Sequence, residues 1–223
     1  KFDKNLSYSI HLPDYINTKE LIDPFSKIEV QKELSFKIID KVAELALELQ
    51  DKTGKKVPIV GSFSVINEPK LNFYEKIIRL IEDFREKGVY IFPQWLPPVA
   101  WYFGGSVSLD SFCSDEDVSY VNKLQIPICM DFCHLFMGAS YFNFKAEDVL
   151  KKLKPLIKHV QISEASGFDG EGMQFGEGDL GQGQIIGDNL DIDCIKVIEV
   201  WQGHLDQGAG FRLAIERLQK FYG

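Results

Sequence analysis

The chain has 223 residues, and its 33 acidic and 25 basic side chains give a formal net charge of −8 at pH 7. This negative charge argues against a protein that binds nucleic acid through a basic surface. Hydrophobic residues make up 45% and charged residues 26%, a composition typical of a soluble globular protein with one main core. The longest apolar runs have the length of strands and fall short of a membrane span.

The four cysteines, Cys113, Cys129, Cys133 and Cys194, form no CxxC pair and lie in or beside apolar segments. A disulfide framework would instead place its cysteines in the loops of a small secreted domain. We therefore expect reduced thiols with structural roles and a cytoplasmic protein.

Short apolar segments alternate with segments of helical periodicity along almost the whole chain. The strand candidates are YSIHL (8–12), VPIVGSFSV (57–65), VYIFPQWL (89–96), IPICMDF (126–132), HVQISEA (159–165) and KVIEVW (196–201). Most are apolar on both faces, as is typical of parallel strands covered by helices. Repeated strand–helix units of this kind predict an α/β fold rather than a β-sandwich or a helical bundle.

The intervening helices have recognisable ends. Gly54 and Gly88 fit the position just after a helix, where the backbone turns left-handed. The residues at 114–117 resemble a capping box, Asn143 is expected to open a further helix, and a last helix should span roughly 209–221. The apolar face of the first helix is predicted to consist of Leu34, Ile38, Val42, Leu45 and Leu49.

A glycine-rich stretch interrupts this alternation. Eight of the chain's 18 glycines lie between Gly167 and Gly187, a density that no regular helix tolerates. Such a segment is either a solvated surface connection or an ordered or lid-forming loop at a binding face. The sequence leaves both alternatives open.

Polar and aromatic side chains that follow the predicted strands form the candidate site. In strand–helix folds, ligands bind at the carboxyl ends of the parallel strands. Asp131 and Glu199 are the clearest candidates, because a carboxylate inside an apolar run is costly unless it is paired, hydrogen-bonded or bound to a metal. The other candidates at strand ends are His11, Ser62, Ser64, Gln94, Trp95, His134, Gln161, Ser163, Glu164, Trp201, Gln202 and His204.

Five motifs at these strand ends occur in a characteristic order. They are PQWLPPVAWYFGG (93–105), ICMDFCHLF (128–136), HVQISEASG (159–167), EGMQFGEGDL (171–180) and IEVWQGHL (198–205). Together they resemble the xylose isomerase-like TIM-barrel superfamily, which includes sugar isomerases and epimerases and is related to endonuclease IV.

The resemblance implies a single TIM-type (β/α)8 barrel domain over residues 1–223. The six predicted strands correspond to the third to eighth strands of such a barrel, so the first two, expected before Ser7, are missing. An open ring exposes unpaired strand edges. We therefore expect a larger chain or a second subunit to complete the barrel.

The resemblance also implies a divalent metal ion held by Gln94, Asp131, Gln161 and Glu199. Oxygen donors of this kind favour Mn²⁺ or Mg²⁺ over Zn²⁺, although only two of the four carry a negative charge. Family members use two glutamates to exchange protons with the sugar, and Gln94 stands in the place of one of them. An amide accepts no proton at neutral pH, so Glu199 is the remaining base.

The implied reaction is the isomerisation or epimerisation of a sugar, a sugar phosphate or a related derivative through a metal-stabilised enediolate. Glu199 would transfer the proton and His134 would orient the substrate, so these two are the predicted catalytic residues. The predicted substrate-binding residues are His11, Gln94, Trp95, Glu164, Trp201 and His204.

Two alternatives come from other functional classes. Gln94 and Gln161 also fit a barrel that has lost turnover and serves as a sugar-binding or assembly module of a larger biosynthetic protein. DNA repair of the endonuclease IV type would need histidine-rich zinc sites and a basic groove, whereas this chain has four histidines and a charge of −8. We therefore expect a small-molecule partner, and neither nucleic acid nor a membrane.

Overall fold

The computed structural model describes residues 3–222. The strands are β1 (Ile10–His11), β2 (Tyr15–Asn17), β3 (Glu20–Leu21), β4 (Ile59–Gly61), β5 (Ile91–Pro93), β6 (Val99–Tyr102), β7 (Gly105–Ser108), β8 (Ile128–Asp131), β9 (Ile157–Ile162), β10 (Glu164–Ser166), β11 (Gly170–Met173) and β12 (Ile195–Ile198). The helices are α1 (Glu29–Thr53), α2 (Lys70–Glu86), α3 (Asp115–Leu124), α4 (Phe132–Phe142), α5 (Ala146–Leu153), α6 (Gly183–Asp188) and α7 (Leu205–Tyr222). Within this described part, none of the helices is both long and apolar enough to cross a membrane.

Parallel strands form the centre of the fold and follow one another in chain order. β1 pairs with β4 and β4 with β5, while β8 pairs with β9 and β9 with β12. A bridge between Gln94 and Cys129 joins the two groups. These six strands coincide with the six predicted segments. The α/β prediction is therefore confirmed, with the strand order of a TIM barrel.

The row of strands does not close into a ring within residues 3–222. Pairing between β1 and β12 is absent there, and a cavity of about 330 Å³ lies between them, lined by apolar residues such as Ile10 and Val197. On its inner side, Nε2 of His159 lies 3.1 Å from Oγ of Ser9. The expectation that two further strands complete the barrel stays a prediction.

Three antiparallel hairpins extend from the carboxyl ends of parallel strands. The β2–β3 hairpin follows β1, the β6–β7 hairpin follows β5, and the β10–β11 hairpin follows β9. They are not among the predicted elements, because their strands contain few apolar residues in alternation. The glycine-rich stretch contains β11 and most of α6, so it has secondary structure of its own.

The buried face of α1 differs from the predicted one. Leu45, expected in the core, is 45% exposed. Small side chains on the buried face allow the helix to approach its neighbours closely, and the larger apolar residues lie at the margin of the contact. The buried residues of α1 are Ser35, Ile39, Ala43, Ala46, Leu49 and Thr53. Its end agrees with the prediction, because Gly54 has a φ of 70° and donates its N–H to the carbonyl oxygen of Gln50.

The ends of the later helices agree with the sequence in all but one case. The N–H of Ser114 donates to the Asp117 carboxylate at 3.0 Å, which confirms the capping box at α3. Asn143 has a left-handed φ of 59° and ends α4, so the prediction that it opens a helix is wrong; α5 begins at Ala146. Residues 206–208 are non-helical, and the regular part of α7 begins directly after them, as predicted.

All four cysteine thiols are free. Cys113, Cys129 and Cys133 are buried, and Cys194 is partly buried. Burial raises the pKa of each thiol above its ordinary value. A thiol in such surroundings stays neutral and packs as a small apolar side chain, as the sequence predicts.

Candidate functional site

A cavity of about 290 Å³ lies at the carboxyl ends of the parallel strands, below the hairpins. Several polar side chains reach it from different elements. His11 comes from β1, Gln94 directly follows β5, and Glu199 directly follows β12. Helix α4 adds His134, and the β10–β11 hairpin adds Glu171. Residues far apart in the chain thus surround one space.

Asp131 lies beneath this cavity, where β8 ends and α4 begins. It is 3% exposed, and its Oδ1 accepts the backbone N–H of His134 at 3.2 Å, which caps the helix. Its Oδ2 accepts an N–H from Nε2 of Gln94 at 3.0 Å and lies 3.2 Å from Nδ1 of His134. Burial raises the pKa of the Asp131 carboxyl, and the neighbouring His134 opposes that rise. Asp131 therefore positions Gln94 and His134, which line the cavity.

His134 is buried between two carboxylates. Its Nδ1 lies 2.9 Å from the carbonyl oxygen of Trp95, and its Nε2 lies 2.9 Å from Oε1 of Glu171. Burial alone would lower the pKa of His134, but Asp131 and Glu171 outweigh this effect and raise the pKa to about 10. The imidazole is therefore a cation at neutral pH, and both of its N–H groups donate.

Glu171 is a site residue that is not among those predicted from the sequence. It lies on β11 in the glycine-rich stretch, 37 residues from His134 along the chain. Burial favours its neutral form, yet the His134 cation holds the pKa of Glu171 below its ordinary value. The only signal in the sequence is an acidic residue in a loop that follows a site strand.

Gln94 connects Asp131 to the opposite wall of the cavity. Its Nε2 donates to Asp131, while its Oε1 accepts the O–H of Ser62 at 3.2 Å and lies 3.1 Å from Nε2 of His11. Nδ1 of His11 in turn lies 2.8 Å from the carbonyl oxygen of Leu12. These contacts form one continuous hydrogen-bonded network across the cavity floor.

Glu199 lines both this cavity and the one between β1 and β12. Its backbone N–H donates to the carbonyl oxygen of Ile162 at 3.0 Å, which continues the strand pairing. The surrounding protein, and next the Asp131 carboxylate, raise the pKa of Glu199 to about 7, although His134 and His11 act in the opposite direction. A carboxyl with this pKa exchanges a proton readily at neutral pH.

Aromatic side chains form the rim of the cavity. Trp101 on β6 and Trp201 after β12 are 66% and 67% exposed, and both line the cavity together with Tyr15 and Tyr102. Trp201 rests on Gly172: its N–H donates to the carbonyl oxygen of Gly172 at 2.8 Å, and a Cβ at that position would overlap the indole ring. Gly172 also has a φ of 69°, so both its backbone and its surroundings require glycine.

Three predicted substrate-binding residues lie outside the lining of this cavity. Trp95 is fully buried in the core and contributes its backbone carbonyl to the site. Oε2 of Glu164 accepts the N–H groups of Gly176 and Gly178 at 2.9 and 2.8 Å, which holds the glycine-rich stretch in place. His204 is exposed just before α7. Direct substrate contact by these three residues is therefore corrected to supporting or peripheral positions.

The four predicted metal ligands do not direct four oxygen atoms to one point. Gln94 turns its Nε2 donor towards Asp131, and Oε1 of Gln161 lies 3.2 Å from Sγ of Cys129 and borders the second cavity. Across residues 3–222, no group of three or more His, Cys, Asp or Glu side chains is arranged to hold a metal ion. In this arrangement the donor set does not fit a divalent cation, because an N–H donor rather than a ligand oxygen faces Asp131.

A sequence model of one protein family, described as a xylose isomerase-like TIM barrel, matches residues 2–221. The chain belongs to this family. The resemblance carried by the five motifs is thereby confirmed, and so is a fold of the TIM-barrel type. Within residues 3–222, however, the strands of this xylose isomerase-like chain form an open row. A search of curated protein sequences finds no match.

Solved structures with a similar fold include a D-tagatose 3-epimerase-like protein, with a TM-score of 0.64 and 17% identity over 96% of this chain and 75% of that chain. A probable 3-DHS dehydratase AsbF, involved in petrobactin synthesis, from Bacillus anthracis gives a TM-score of 0.61 and 17% identity, covering 95% of this chain and 74% of that chain. A protein from Thermus thermophilus, soaked with ZnCl2, gives 0.53 and 15%, covering 96% and 78%. At these identities, the similarity establishes the fold of the xylose isomerase-like chain alone.

Proposed function

We propose that this protein isomerises a sugar or sugar derivative by moving a proton between two neighbouring carbon atoms. The observation that carries the proposal is the position of Glu199, whose pKa is about 7, on the same cavity as the buried His134 cation. Glu199 can exchange a proton at neutral pH. His134 offers positive charge near the place where a carbonyl oxygen would become negative.

In the proposed reaction, the Glu199 carboxylate removes the proton from the carbon next to the substrate's carbonyl group. The electrons of that C–H bond form a carbon–carbon double bond, and the carbonyl oxygen takes the negative charge of an enediolate. The His134 cation stabilises this charge. Glu199 then returns its proton to the former carbonyl carbon, while the proton of the neighbouring hydroxyl group moves to the first oxygen.

A single base supports isomerisation rather than epimerisation. Isomerisation removes and returns the proton on one face of the enediolate, whereas epimerisation needs a proton donor on the opposite face. Gln94 stands where the family resemblance implies a second glutamate, and its amide cannot exchange a proton in this way. Glu171 is held in its charged form by His134. Glu199 therefore acts alone in the proposed mechanism.

The predicted Mn²⁺ or Mg²⁺ ion has no part in this mechanism. Asp131 already accepts N–H groups from Gln94 and His134, so a metal ion would have to displace an existing hydrogen bond. The positive charge that stabilises the enediolate comes instead from His134. Binding of either ion stays a prediction for titration.

Deuterium exchange from D2O into a panel of aldoses and ketoses, followed by NMR, tests the proposed reaction. We expect exchange at the carbon next to the carbonyl of at least one sugar. Glu199→Gln should reduce the rate by about 100-fold or more, because it removes the base. Glu86→Gln, at the exposed end of α2, is the control and should leave the rate unchanged. Absence of exchange with every sugar, or unchanged exchange in Glu199→Gln, would contradict the proposal.

A second candidate function is a sugar-binding or assembly module without turnover. The contacts of Gln94 with Asp131, Ser62 and His11 favour it, because they satisfy the polar groups of the cavity floor without a reacting partner. Calorimetric titration separates the two functions. Sugar binding in a protein that shows no deuterium exchange would support the module and exclude the enzyme for that sugar.

A further inference from the structure

The cavity at the strand ends is strongly acidic. Asp14, Glu171 and Glu199 line it, and Asp131 lies directly beneath it. In the part of the chain that the structure describes, its lining contains no lysine or arginine. Sites that bind phosphate or carboxylate groups normally supply such side chains or a row of free backbone N–H groups. The one buried cation, His134, is already engaged by carboxylates.

Asp14 provides an acceptor that the protein leaves unused. Its Oδ1 is buried and has no hydrogen-bond partner among the described residues. Its backbone oxygen accepts the N–H of Ile22 at 2.8 Å, so the residue is held in place at the start of the β2–β3 hairpin. A buried acceptor without a partner costs free energy, which a ligand with an N–H or O–H donor would recover. An anionic ligand group would add charge repulsion instead.

The aromatic rim is suited to the same kind of ligand. Trp101 and Trp201 present exposed indole rings to the cavity, and Tyr15 and Tyr102 lie on the same rim. Aromatic faces attract cations, and they also pack well against the C–H faces of sugars. Because Gly172 fixes Trp201 in position, this part of the rim is formed before a ligand arrives.

From these three features we propose that the cavity takes a sugar derivative that carries a protonated amino group and no phosphate or carboxylate group. This inference rests on the proposed function, and it specifies the class of substrate. Asp14 accepts the ammonium group, Trp101 and Trp201 cover the sugar ring, and the acidic lining excludes sugar phosphates, which the sequence resemblance alone would allow.

Binding measurements with three related sugars test the inference. D-glucosamine, D-glucose and D-glucose 6-phosphate differ in the charge of one substituent, and binding is followed by calorimetry and by tryptophan fluorescence. We expect glucosamine to bind about tenfold more tightly than glucose at low salt, with glucose 6-phosphate the weakest. The preference should shrink at high salt, because it is electrostatic. Equal or tighter binding of the phosphate would overturn the inference, and so would binding of none of the three.

A matched pair of variants assigns the preference to the cavity. Asp14→Asn removes one carboxylate and should reduce the preference for glucosamine over glucose about fivefold while leaving glucose binding nearly unchanged. Asp51→Asn makes the same change in charge at an exposed position on α1 and should retain the full preference. An undiminished preference in Asp14→Asn would overturn the role of this residue.

The two proposals fail in different ways. Binding of the amino sugar in a protein that exchanges no deuterium into any sugar would contradict the proposed reaction and leave the ligand class standing. Exchange into a sugar phosphate, with no preference for the amino sugar, would support the reaction and refute the ligand class.

Discussion

Nε2 of His134 lies 2.9 Å from Oε1 of Glu171, and this contact connects helix α4 to the β10–β11 hairpin. The hairpin belongs to the glycine-rich stretch, which therefore contributes a charged group to the cavity. The position of the hairpin and the charge of His134 are coupled, because each carboxylate near the imidazole stabilises its protonated form. A change at residue 171 should consequently be visible at residue 134.

Glu171→Gln should lower the pKa of His134 from about 10 towards its ordinary value of 6.5. The raised pKa stabilises the folded protein below about 6.5, and this stabilisation is lost as the pH rises through about 10. In Glu171→Gln the loss should begin at lower pH. NMR titration of the His134 ring protons and thermal unfolding at several pH values measure both effects. Glu82→Gln, exposed on α2, is the control, and an unchanged His134 titration in Glu171→Gln would contradict the coupling.

Glu199 should give the activity a pH dependence. Its carboxylate is the proposed base, so kcat/KM should rise with pH and level off above its pKa of about 7. Stability should change in the opposite direction: the folded state binds the extra proton between the ordinary value of 4.5 and about 7, so stability falls as the pH rises through that range. Glu199→Gln should remove both dependences. If its residual activity keeps the same pH profile, another group is the base.

Gln94→Glu should bring a second carboxylate next to Asp131. Without metal, the donor to Oδ2 of Asp131 is lost and two like charges face each other, which should destabilise the protein by about 2 kcal/mol. With Mn²⁺ or Mg²⁺, the added oxygen ligand should strengthen binding and recover that stability. Titration calorimetry and thermal unfolding with and without the ions measure these changes. Combining Gln94→Glu with Asp131→Ala should abolish the gain, whereas unchanged metal affinity in Gln94→Glu would show that residue 94 does not face the ion.

Gly172→Ala should displace Trp201 from the rim. The added Cβ overlaps the indole ring and sits at a φ of 69°, so we expect a loss of about 3 kcal/mol and a change in tryptophan fluorescence. Gly167→Ala is the matched control on the same hairpin, because Gly167 has a φ of 58° and open space around it. It should cost about 1 kcal/mol and leave the fluorescence unchanged. Equal effects of the two substitutions would argue against the contact with Trp201.

The parallel strands could be predicted because their signal is local. Burial on both faces makes a continuous apolar run, and the polar residue that ends the run marks the site, as Asp131 does. The hairpins and Glu171 have no such signal. Their positions depend on contacts between distant residues, such as Glu164 with Gly176 and Gly178, which no spacing in the sequence reveals.

Helix α1 shows a second limit of sequence patterns. Its large apolar residues predict one face, but packing places Ser35 and Ala43 against the core and leaves Leu45 exposed. Hydrophobic periodicity identified the helix and its end, yet the exact face depends on how closely neighbouring elements approach. The same reasoning applies to Trp95, which the core buries although it lies next to a site residue.

The last prediction concerns the open row of strands. Within residues 3–222, β1 and β12 do not pair with one another, and the cavity between them is lined by half-buried apolar side chains such as Ile10, Val197 and Ile198. Unpaired backbone beside apolar surface favours association, so the 223-residue chain alone should form oligomers or aggregates. Light scattering as a function of concentration measures this. Substituting Val197 by Lys, to place a charge at the edge, should reduce the association, with Lys52→Gln on α1 as a control of unrelated surface charge. A stable monomer at all concentrations would show that residues within the chain cover the opening.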